Sequence, residues 1–511
     1  MRRRELLGLL AAAAGVGVPL AGGWRGSTST GLLLPSRRPR PVPFRVPLPV
    51  PAVLRPVRHD DEGEHYEIVQ RVARVEILPG VSTEIWGYGG SFPGPTILSR
   101  SGRPAVVVHR NELPVPTVAH LHGGRTPAES DGYPTDLLLP AGSSDHAAHM
   151  PAMFDARAVI KTGSRGYRYP LRQPAGTLWY HDHRMDFTGP GVWRGLAGFH
   201  LVSDTAEDNL PLPRGPRDLP LMLMDRSFGP DGELLYPSAD PALVTPGVTG
   251  GFGAGVLGDV ILVNGAPWPV ADVDAARYRL RLLNASNARR FRLALDPPRG
   301  GFTQIGADGG LLDRPVHHDA VELAPAQRLD VVVDFSGYRI GQEVTILNTF
   351  GTGGTENVLR FRVVRAAPDD TAIPATLPGE PGPATDARTP VRTMEFRHAE
   401  VGGMPGWAVN GRPFAPDAVH ARVRRGGVEV WRLAGDFHHP IHLHGATFQV
   451  LTRGNGGPGP YDAGWRDTLD LRPAEQATIA VRFGDDPGRY VFHCHNLEHE
   501  DMSMMGNIVI E

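Results

Sequence analysis

The sequence predicts an all-β protein built from three Greek-key β-sandwich domains, and three observations support this fold class. Short runs in which apolar and polar residues alternate, such as 279–283 and 428–433, follow the two-residue period of a half-buried strand. No sustained helical period occurs, and 63 glycines and 50 prolines interrupt the runs. Two polar, proline-containing stretches at 204–220 and 366–390 leave three blocks of about 120–150 residues, the usual size of a sandwich domain.

Residues 1–33 predict an export signal of the twin-arginine type. Arg2, Arg3 and Arg4 precede a Leu/Ala/Gly/Val stretch that is too short to favour a membrane-spanning helix. We therefore expect export to the periplasm, the cell wall or the exterior, with no membrane span. The rest of the chain is expected to divide into a proline-rich arm (34–58), domain 1 (59–205), domain 2 (206–366), a linker (367–390) and domain 3 (391–511).

The charge balance and the cysteine count exclude several classes of protein. The chain has 52 Lys and Arg residues against 55 Asp and Glu residues, and a formal charge of −3 gives no electrostatic reason to expect nucleic acid as a partner. Cys494 is the only cysteine, which excludes intramolecular disulfides and a cysteine-rich zinc framework.

Histidines occur in pairs that share one face of a strand. The 21 histidines should give about one His-x-His pair by chance. Residues two apart on a strand point to the same face, so each pair offers two imidazoles to one place. Four pairs are present, all in the first and last domains: His120 and His122, His181 and His183, His442 and His444, and His493 and His495. Imidazole binds several transition metals, so the pairs alone do not select one.

The only cysteine lies inside one of these pairs and predicts a second metal centre. Strand alternation directs Cys494 to one face and its two neighbouring histidines to the other. On the cysteine side, His439, His499 and a late methionine complete a His₂Cys set with a weak axial thioether, which is the ligand set of blue copper. Zinc is disfavoured because it would not need a thiolate that joins two centres. On the other side, eight imidazoles divide naturally as three, three and two, enough for a coupled copper pair and a third copper.

These segments resemble the four copper motifs of the multicopper oxidases, in order and in their placement in the first and last domains. The motifs are HLHGG at 120–124 with SDGYP at 130–134, WYHDH at 179–183, HPIHLHG at 439–445 and HCHNLEHED at 493–501. They look most like the branch of bacterial spore-coat laccases and bilirubin oxidases, over essentially the whole chain after residue 60. Ala446 departs from the commoner pattern, in which many laccases have a further histidine. The resemblance implies cupredoxin-like sandwich domains.

The resemblance also implies four copper ions and a role for each ligand. The type 1 copper would be held by His439, Cys494, His499 and the axial Met504, with Met502 as the competing choice. The type 2 copper would be held by His120 and His442. The type 3 pair would be held by two sets of three histidines, which are His122, His181 and His495 for one ion and His183, His444 and His493 for its partner. Asp131 and Glu500 would either deliver protons to bound oxygen or orient neighbouring histidines.

The function that the resemblance implies is that of a laccase-like multicopper oxidase. Such an enzyme couples one-electron oxidation of phenols, aminophenols or aromatic amines to four-electron reduction of O₂ to water, so its partners are O₂ and a small aromatic reductant. Two alternatives remain. One is oxidation of a metal ion, Cu(I) or Mn(II), for which no acidic or Met-rich insert is evident. The other is a non-enzymatic copper-binding scaffold, which would be expected to have lost ligands.

Overall fold

The chain folds as three β-sandwiches, which confirms the predicted all-β class. The computed structural model describes residues 28–143, 155–401 and 403–511. Most of the predicted export signal (1–27) lies outside these residues, whereas 28–33 pack against the rest of the chain. Among the described residues, no helix has the length and apolar character that crossing a membrane requires.

Domain 1 consists of two five-stranded sheets, one of which includes a strand from the proline-rich arm. The strands of the segment before domain 1 and of domain 1 itself are β1 (Leu32–Leu33), β2 (Val53–Leu54), β3 (Arg58–Asp60), β4 (Gly63–Glu76), β5 (Ser82–Tyr88), β6 (Gly94–Arg100), β7 (Ala105–Asn111), β8 (Ala119–His122), β9 (Leu138–Leu139), β10 (Lys161–Thr162), β11 (Ser164–Tyr169), β12 (Gly176–Asp182) and β13 (Ala197–Ser203). The sheets have the orders β11-β7-β4-β3, with β5 on β4, and β2-β6-β13-β12-β8. Antiparallel pairing of β8 with β12 places His181 opposite His120, so two of the histidine pairs meet at this sheet edge.

Domain 2 packs a seven-stranded sheet on a five-stranded sheet around a large apolar core. Its strands are β14 (Asp218–Arg226), β15 (Val256–Leu257), β16 (Val260–Val263), β17 (Ala266–Pro267), β18 (Val270–Ala275), β19 (Arg277–Asn284), β20 (Phe291–Asp296), β21 (Phe302–Ala307), β22 (Gly310–His318), β23 (Ala320–Leu323), β24 (Arg328–Asp334), β25 (Glu343–Asn348) and β26 (Asn357–Ala366). The sheet orders are β17-β16-β14-β19-β24-β21-β22 and β18-β26-β25-β20-β23. Residues 367–390, all of which are described, contain no helix or strand.

Domain 3 again has two five-stranded sheets, and it carries the only cysteine. Its strands are β27 (Val391–Val401), β28 (Met404–Val409), β29 (Val419–Val423), β30 (Val428–Gly435), β31 (His439–Leu443), β32 (Ala446–Arg453), β33 (Thr468–Leu471), β34 (Gln476–Phe483), β35 (Gly488–Cys494) and β36 (Met505–Ile510). The sheet orders are β28-β27-β30-β34-β32 and β29-β36-β35-β31-β33. In the second sheet, β31 and β35 pair antiparallel with Ile441 opposite Cys494 and His442 opposite His493.

In the described part of the chain, three short α-helices lie in loops between strands, and the sequence pattern did not predict them. They are α1 (Thr188–Arg194), α2 (Thr205–Asp208) and α3 (Leu497–Asp501). Each has seven residues or fewer, so none can show a repeated 3.6-residue period. The Asp501 carboxylate accepts the backbone N–H groups of Thr188 and Gly189 at 2.8 Å each, which joins α3 of domain 3 to the start of α1 in domain 1.

Candidate copper centres

The cysteine side of β35 carries a compact set of three ligand atoms. The Sγ atom of Cys494 lies 3.5 Å from Nδ1 of His439 and 3.5 Å from Nδ1 of His499, and the two nitrogens are 3.2 Å apart. All three side chains are fully buried. Atoms at these separations can bind a single ion, so the structure brings together the predicted His₂Cys set.

In both His439 and His499, a hydrogen bond from the second ring nitrogen fixes the orientation of the ring. Nε2 of His439 donates to the Asp436 carboxylate at 2.8 Å, and Nε2 of His499 donates to the Ala254 carbonyl at 3.1 Å. Trp407 stacks on the His499 ring with the ring centroids 3.7 Å apart. Each Nδ1 therefore faces the sulfur with its lone pair free, as expected for a metal ligand whose ring is fixed by its surroundings.

The two candidate axial methionines occupy different environments. Met504 is fully buried in the apolar core of domain 3 with Cys494, and its carbonyl accepts the Cys494 N–H at 3.1 Å. Met502 is half-buried, and its thioether lies against Gly253. The buried position of Met504 beside the cysteine favours this residue over Met502 as the axial ligand.

On the opposite face of β35, three imidazole nitrogens converge. The Nε2 atoms of His183, His444 and His493 lie 3.2–3.3 Å from one another. Three nitrogens bound to one ion at about 2.0–2.1 Å with tetrahedral angles would be about 3.3–3.4 Å apart. The observed separation therefore suits a shared cation. Since His183 belongs to domain 1 and the other two belong to domain 3, this site lies at the interface of the two domains.

The other five histidines of the four pairs line the same space. The ring centroids of His122, His181 and His495 are 5.2–5.7 Å apart, and those of His120 and His442 are 5.7 Å apart. In each of these five rings, at least one buried nitrogen has no hydrogen-bond partner in the described part of the chain. Buried polar atoms without partners are unfavourable, and bound cations would satisfy them.

Burial also gives the cluster histidines the charge state that a metal ligand needs. It lowers the pKa of seven of the eight cluster histidines, which are His120, His122, His181, His183, His442, His444 and His495. A neutral imidazole keeps a lone pair for a metal ion. Burial raises the pKa of the Cys494 thiol well above its usual value, and a bound cation would reverse that shift by stabilising the thiolate.

Comparison with known proteins places these residues in an established family. Two sequence profiles described as multicopper oxidase match residues 70–148 with 151–207, and residues 386–511. The chain is 38% identical to a laccase of Bacillus stratosphericus over 90% of this chain and 97% of that protein. It is 35% identical to a bilirubin oxidase of Albifimbria verrucaria over 90% of this chain and 80% of that protein. The crystal structure of a laccase from Pediococcus acidilactici Pa5930 superposes with a TM-score of 0.80 at 32% identity, covering 96% of both chains.

The chain belongs to the multicopper oxidase family. It is therefore a copper-dependent oxidoreductase of the laccase-like type, and the resemblance inferred from the motifs is confirmed. The histidine pairs and the cysteine site all lie within the two matched regions of the chain.

Asp131 and Glu500, the two predicted carboxylates of the oxidase, contact the histidine cluster. The Asp131 carboxylate accepts from Nδ1 of His444 at 2.7 Å. The Glu500 carboxylate lies 3.3 Å from Nδ1 of His183 and 3.0 Å from Nδ1 of His493. Each carboxylate thus faces ring nitrogens on the side away from the converging Nε2 atoms, where it can fix the rings.

Two residues that the sequence did not single out, Asp467 and Arg328, join all three domains of the oxidase at the cluster. Asp467 Oδ1 lies 3.1 Å from Nε2 of His122, and the Asp467 carbonyl accepts from Nδ1 of His442 at 3.0 Å. Arg328 is fully buried on β24 of domain 2 and donates to both carboxylate oxygens of Asp467. Gly123 is required here because a Cβ atom would lie 2.6 Å from Nη2 of Arg328. The glycine that follows the first histidine pair was the only sequence signal of this contact.

Proposed function

We propose that the oxidase holds four copper ions in two centres, one on each side of β35. The type 1 site would be formed by His439, Cys494 and His499 with Met504 as the axial ligand. The cluster would divide into a type 2 site (His120 and His442) and two type 3 sites (His122, His181 and His495; His183, His444 and His493). The proposal depends on one observation. Sγ of Cys494 contacts the imidazoles of His439 and His499 on one face of β35, while the ring of the adjacent His493 contacts those of His183 and His444 on the opposite face.

The chain links the two centres by covalent bonds. Copper bound at these sites would accept single electrons on the cysteine side and supply four electrons to O₂ on the histidine side. Cys494 is bonded through the backbone to His493 and His495, so no gap separates the ligands of one centre from those of the other. Full burial of all three side chains keeps water away from this connection.

Reduction of O₂ to water also consumes protons, and we assign their delivery to Asp131 and Glu500. Burial raises the pKa of Asp131 to about 8, so in the copper-free chain this carboxyl retains a proton near neutral pH. Burial alone would also raise the pKa of Glu500, but His493 and His183 outweigh it and hold that pKa well below its usual range. Each carboxyl contacts a ring nitrogen of a proposed type 3 ligand, His444 for Asp131 and both His183 and His493 for Glu500, so both lie beside the place where O₂ would be reduced.

A small aromatic compound with hydroxyl or amino groups is the proposed reductant. Asp436, which accepts from His439, is 24% exposed and connects this ligand to the surface. Its carboxylate can accept a hydrogen bond from a phenol or an aromatic amine. Oxidation of a metal ion is not supported by Met222 and Met224, because both side chains are buried in the core of domain 2 and offer no surface site, while Met150 and Met153 lie outside the described residues.

Export by the twin-arginine route is part of the same proposal. The route carries folded proteins, which suits an enzyme that binds its metal before export. The arginines at positions 2–4 and the short apolar stretch after them support this location outside the cytoplasm.

Oxygen uptake by the copper-loaded protein tests the proposed substrate class. We expect uptake with an aminophenol, a dimethoxyphenol or bilirubin to exceed uptake with Cu(I), and we expect none from the copper-free protein. Faster uptake with Cu(I) than with every aromatic donor would assign the enzyme to metal-ion oxidation. Copper loading without uptake from any donor would contradict an oxidase function.

A pair of methionine variants tests the axial ligand. Met504→Leu should leave a folded, blue protein with a higher type 1 reduction potential, because a thioether donates weakly to copper and stabilises its oxidised state. The similar volume of leucine limits the packing cost to about 1 kcal/mol. Met502→Leu is the matched control and should leave the potential unchanged. Potentiometric titration of both variants decides the assignment, and a shift confined to Met502→Leu would identify Met502 as the ligand.

A further inference from the structure

The segment from Thr28 to Leu34, called here the N-terminal brace, is built into the interface between domains 2 and 3. Its strand β1 pairs in parallel with β15, where the backbone N–H groups of Leu32 and Leu34 donate to the carbonyls of Gly255 and Leu257 at 2.8 Å. Ser29 and Thr30 are 4% and 1% exposed. Both residues are therefore buried inside the fold.

Thr30 contacts both ligand-bearing segments of the proposed type 1 site. Its hydroxyl accepts the backbone N–H of His438 at 3.1 Å and lies 3.3 Å from Nδ1 of the same ring. His438 directly precedes His439. The Thr30 carbonyl accepts from Nδ2 of Asn496 at 3.2 Å, and Asn496 lies in the loop between Cys494 and His499. One buried residue therefore connects two segments that are far apart in sequence.

Asn496, which donates to the Thr30 carbonyl, also contacts the Cys494 sulfur. Its backbone N–H points at Sγ of Cys494 at 3.4 Å, and its side-chain amide also donates to the Ala254 carbonyl at 3.0 Å. Hydrogen bonds to the cysteine sulfur tune the reduction potential of blue-copper sites. The amide of Asn496 is held by two carbonyls, and one of them belongs to the brace.

Arg290 anchors the start of the brace. Its backbone N–H donates to the Ser29 hydroxyl at 3.0 Å, and its guanidinium donates to the Thr28 carbonyl at 3.0 Å. The same guanidinium pairs with Asp470 and lies 3.3 Å from Nε2 of His438. The brace, Arg290 and His438 thus form one buried polar network next to His439.

We propose that residues 28–34 are a positioning element of the type 1 site and remain in the mature oxidase, which places removal of the export signal before Thr28. The proposal rests on the proposed type 1 ligand set. By holding Asn496 and His438, the brace fixes the N–H group that faces the sulfur and the backbone that presents His439. The type 1 site is then complete only when the N-terminal segment has docked between domains 2 and 3.

Truncated chains and one point variant test the role of the brace. A chain that starts at residue 28 should match the longer protein in blue absorption and in type 1 potential. A chain that starts at residue 36 should show a shifted blue band and potential, and it should lose copper to a chelator about 10-fold faster, the effect expected when the groups that support metal ligands are removed. Its type 2 electron paramagnetic resonance signal should not change.

Thr30→Val decides the question if the shorter chain does not fold, because valine has nearly the shape of threonine and replaces only the hydroxyl, which contacts His438, by a methyl group. We expect Thr30→Val to shift the blue band and the type 1 potential in the same direction as the truncation at residue 36, by a smaller amount. Ser36→Ala is the matched control, since Ser36 bonds to Asp259 and not to either ligand-bearing segment. Unchanged potential and copper retention in the chain starting at residue 36, or in Thr30→Val where that chain does not fold, would show that the brace does not position the type 1 site. Absence of a blue band from the copper-loaded parent protein would show that the proposed type 1 ligand set is wrong, and the positioning role of the brace would fail with it.

Discussion

Cys494→Ser should abolish the blue absorption and the oxidase activity together. The band requires a thiolate bound to copper, and the chain has no other cysteine that could replace Cys494. Serine is close in size to cysteine, so the buried position should remain packed and the protein folded. Absorption spectra and oxygen uptake of the copper-loaded variant provide the measurement.

The copper content of Cys494→Ser distinguishes a local loss from general damage. Since the eight cluster histidines lie on the other face of β35, their copper should remain, and the content should fall by about one ion per chain. A blue band that persisted in this variant would show that the sulfur is not a ligand.

His122→Ala should give the complementary result, in which the blue band remains and turnover with O₂ collapses by about 100-fold or more. His122 stacks on His442 with ring centroids 3.6 Å apart, inside the histidine cluster and away from the sulfur. His317→Ala is a suitable control because His317 is 58% exposed and lies outside both centres. Turnover that survived in His122→Ala, or a blue band that disappeared, would contradict the division of the ligands.

The positions of the two centres could be predicted because they follow from the two-residue period of a strand. Alternation alone placed Cys494 opposite its neighbouring histidines, and pairing of β31 with β35 brought His439 within reach of the sulfur. The four histidine pairs lie on strands or directly after them, where spacing in sequence determines which face a side chain occupies.

Contacts between distant segments could not be predicted, because no local pattern encodes them. Arg328 reaches Asp467 across 139 residues, and Thr30 reaches His438 across 408 residues. For His444 and His442, the nitrogen that faces the cluster also depends on such contacts, since the Asp131 carboxylate and the Asp467 carbonyl hold the other nitrogen of the ring. Helix α3 was missed for a different reason: five residues are too few to show a period.

We propose that β35 separates a site that takes electrons from a site that reduces O₂, and one sequential experiment on His122→Ala tests this separation most directly. The copper-loaded variant is mixed with an aminophenol under argon, and O₂ is then admitted while the blue band is followed. The band should bleach under argon at close to the parent's rate and stay bleached after O₂ is admitted. The histidine cluster, which would pass electrons to O₂, has lost one ligand in this variant, whereas the cysteine site is intact. A band that recovers at the parent's rate on admission of O₂, or one that never bleaches, would contradict the separation.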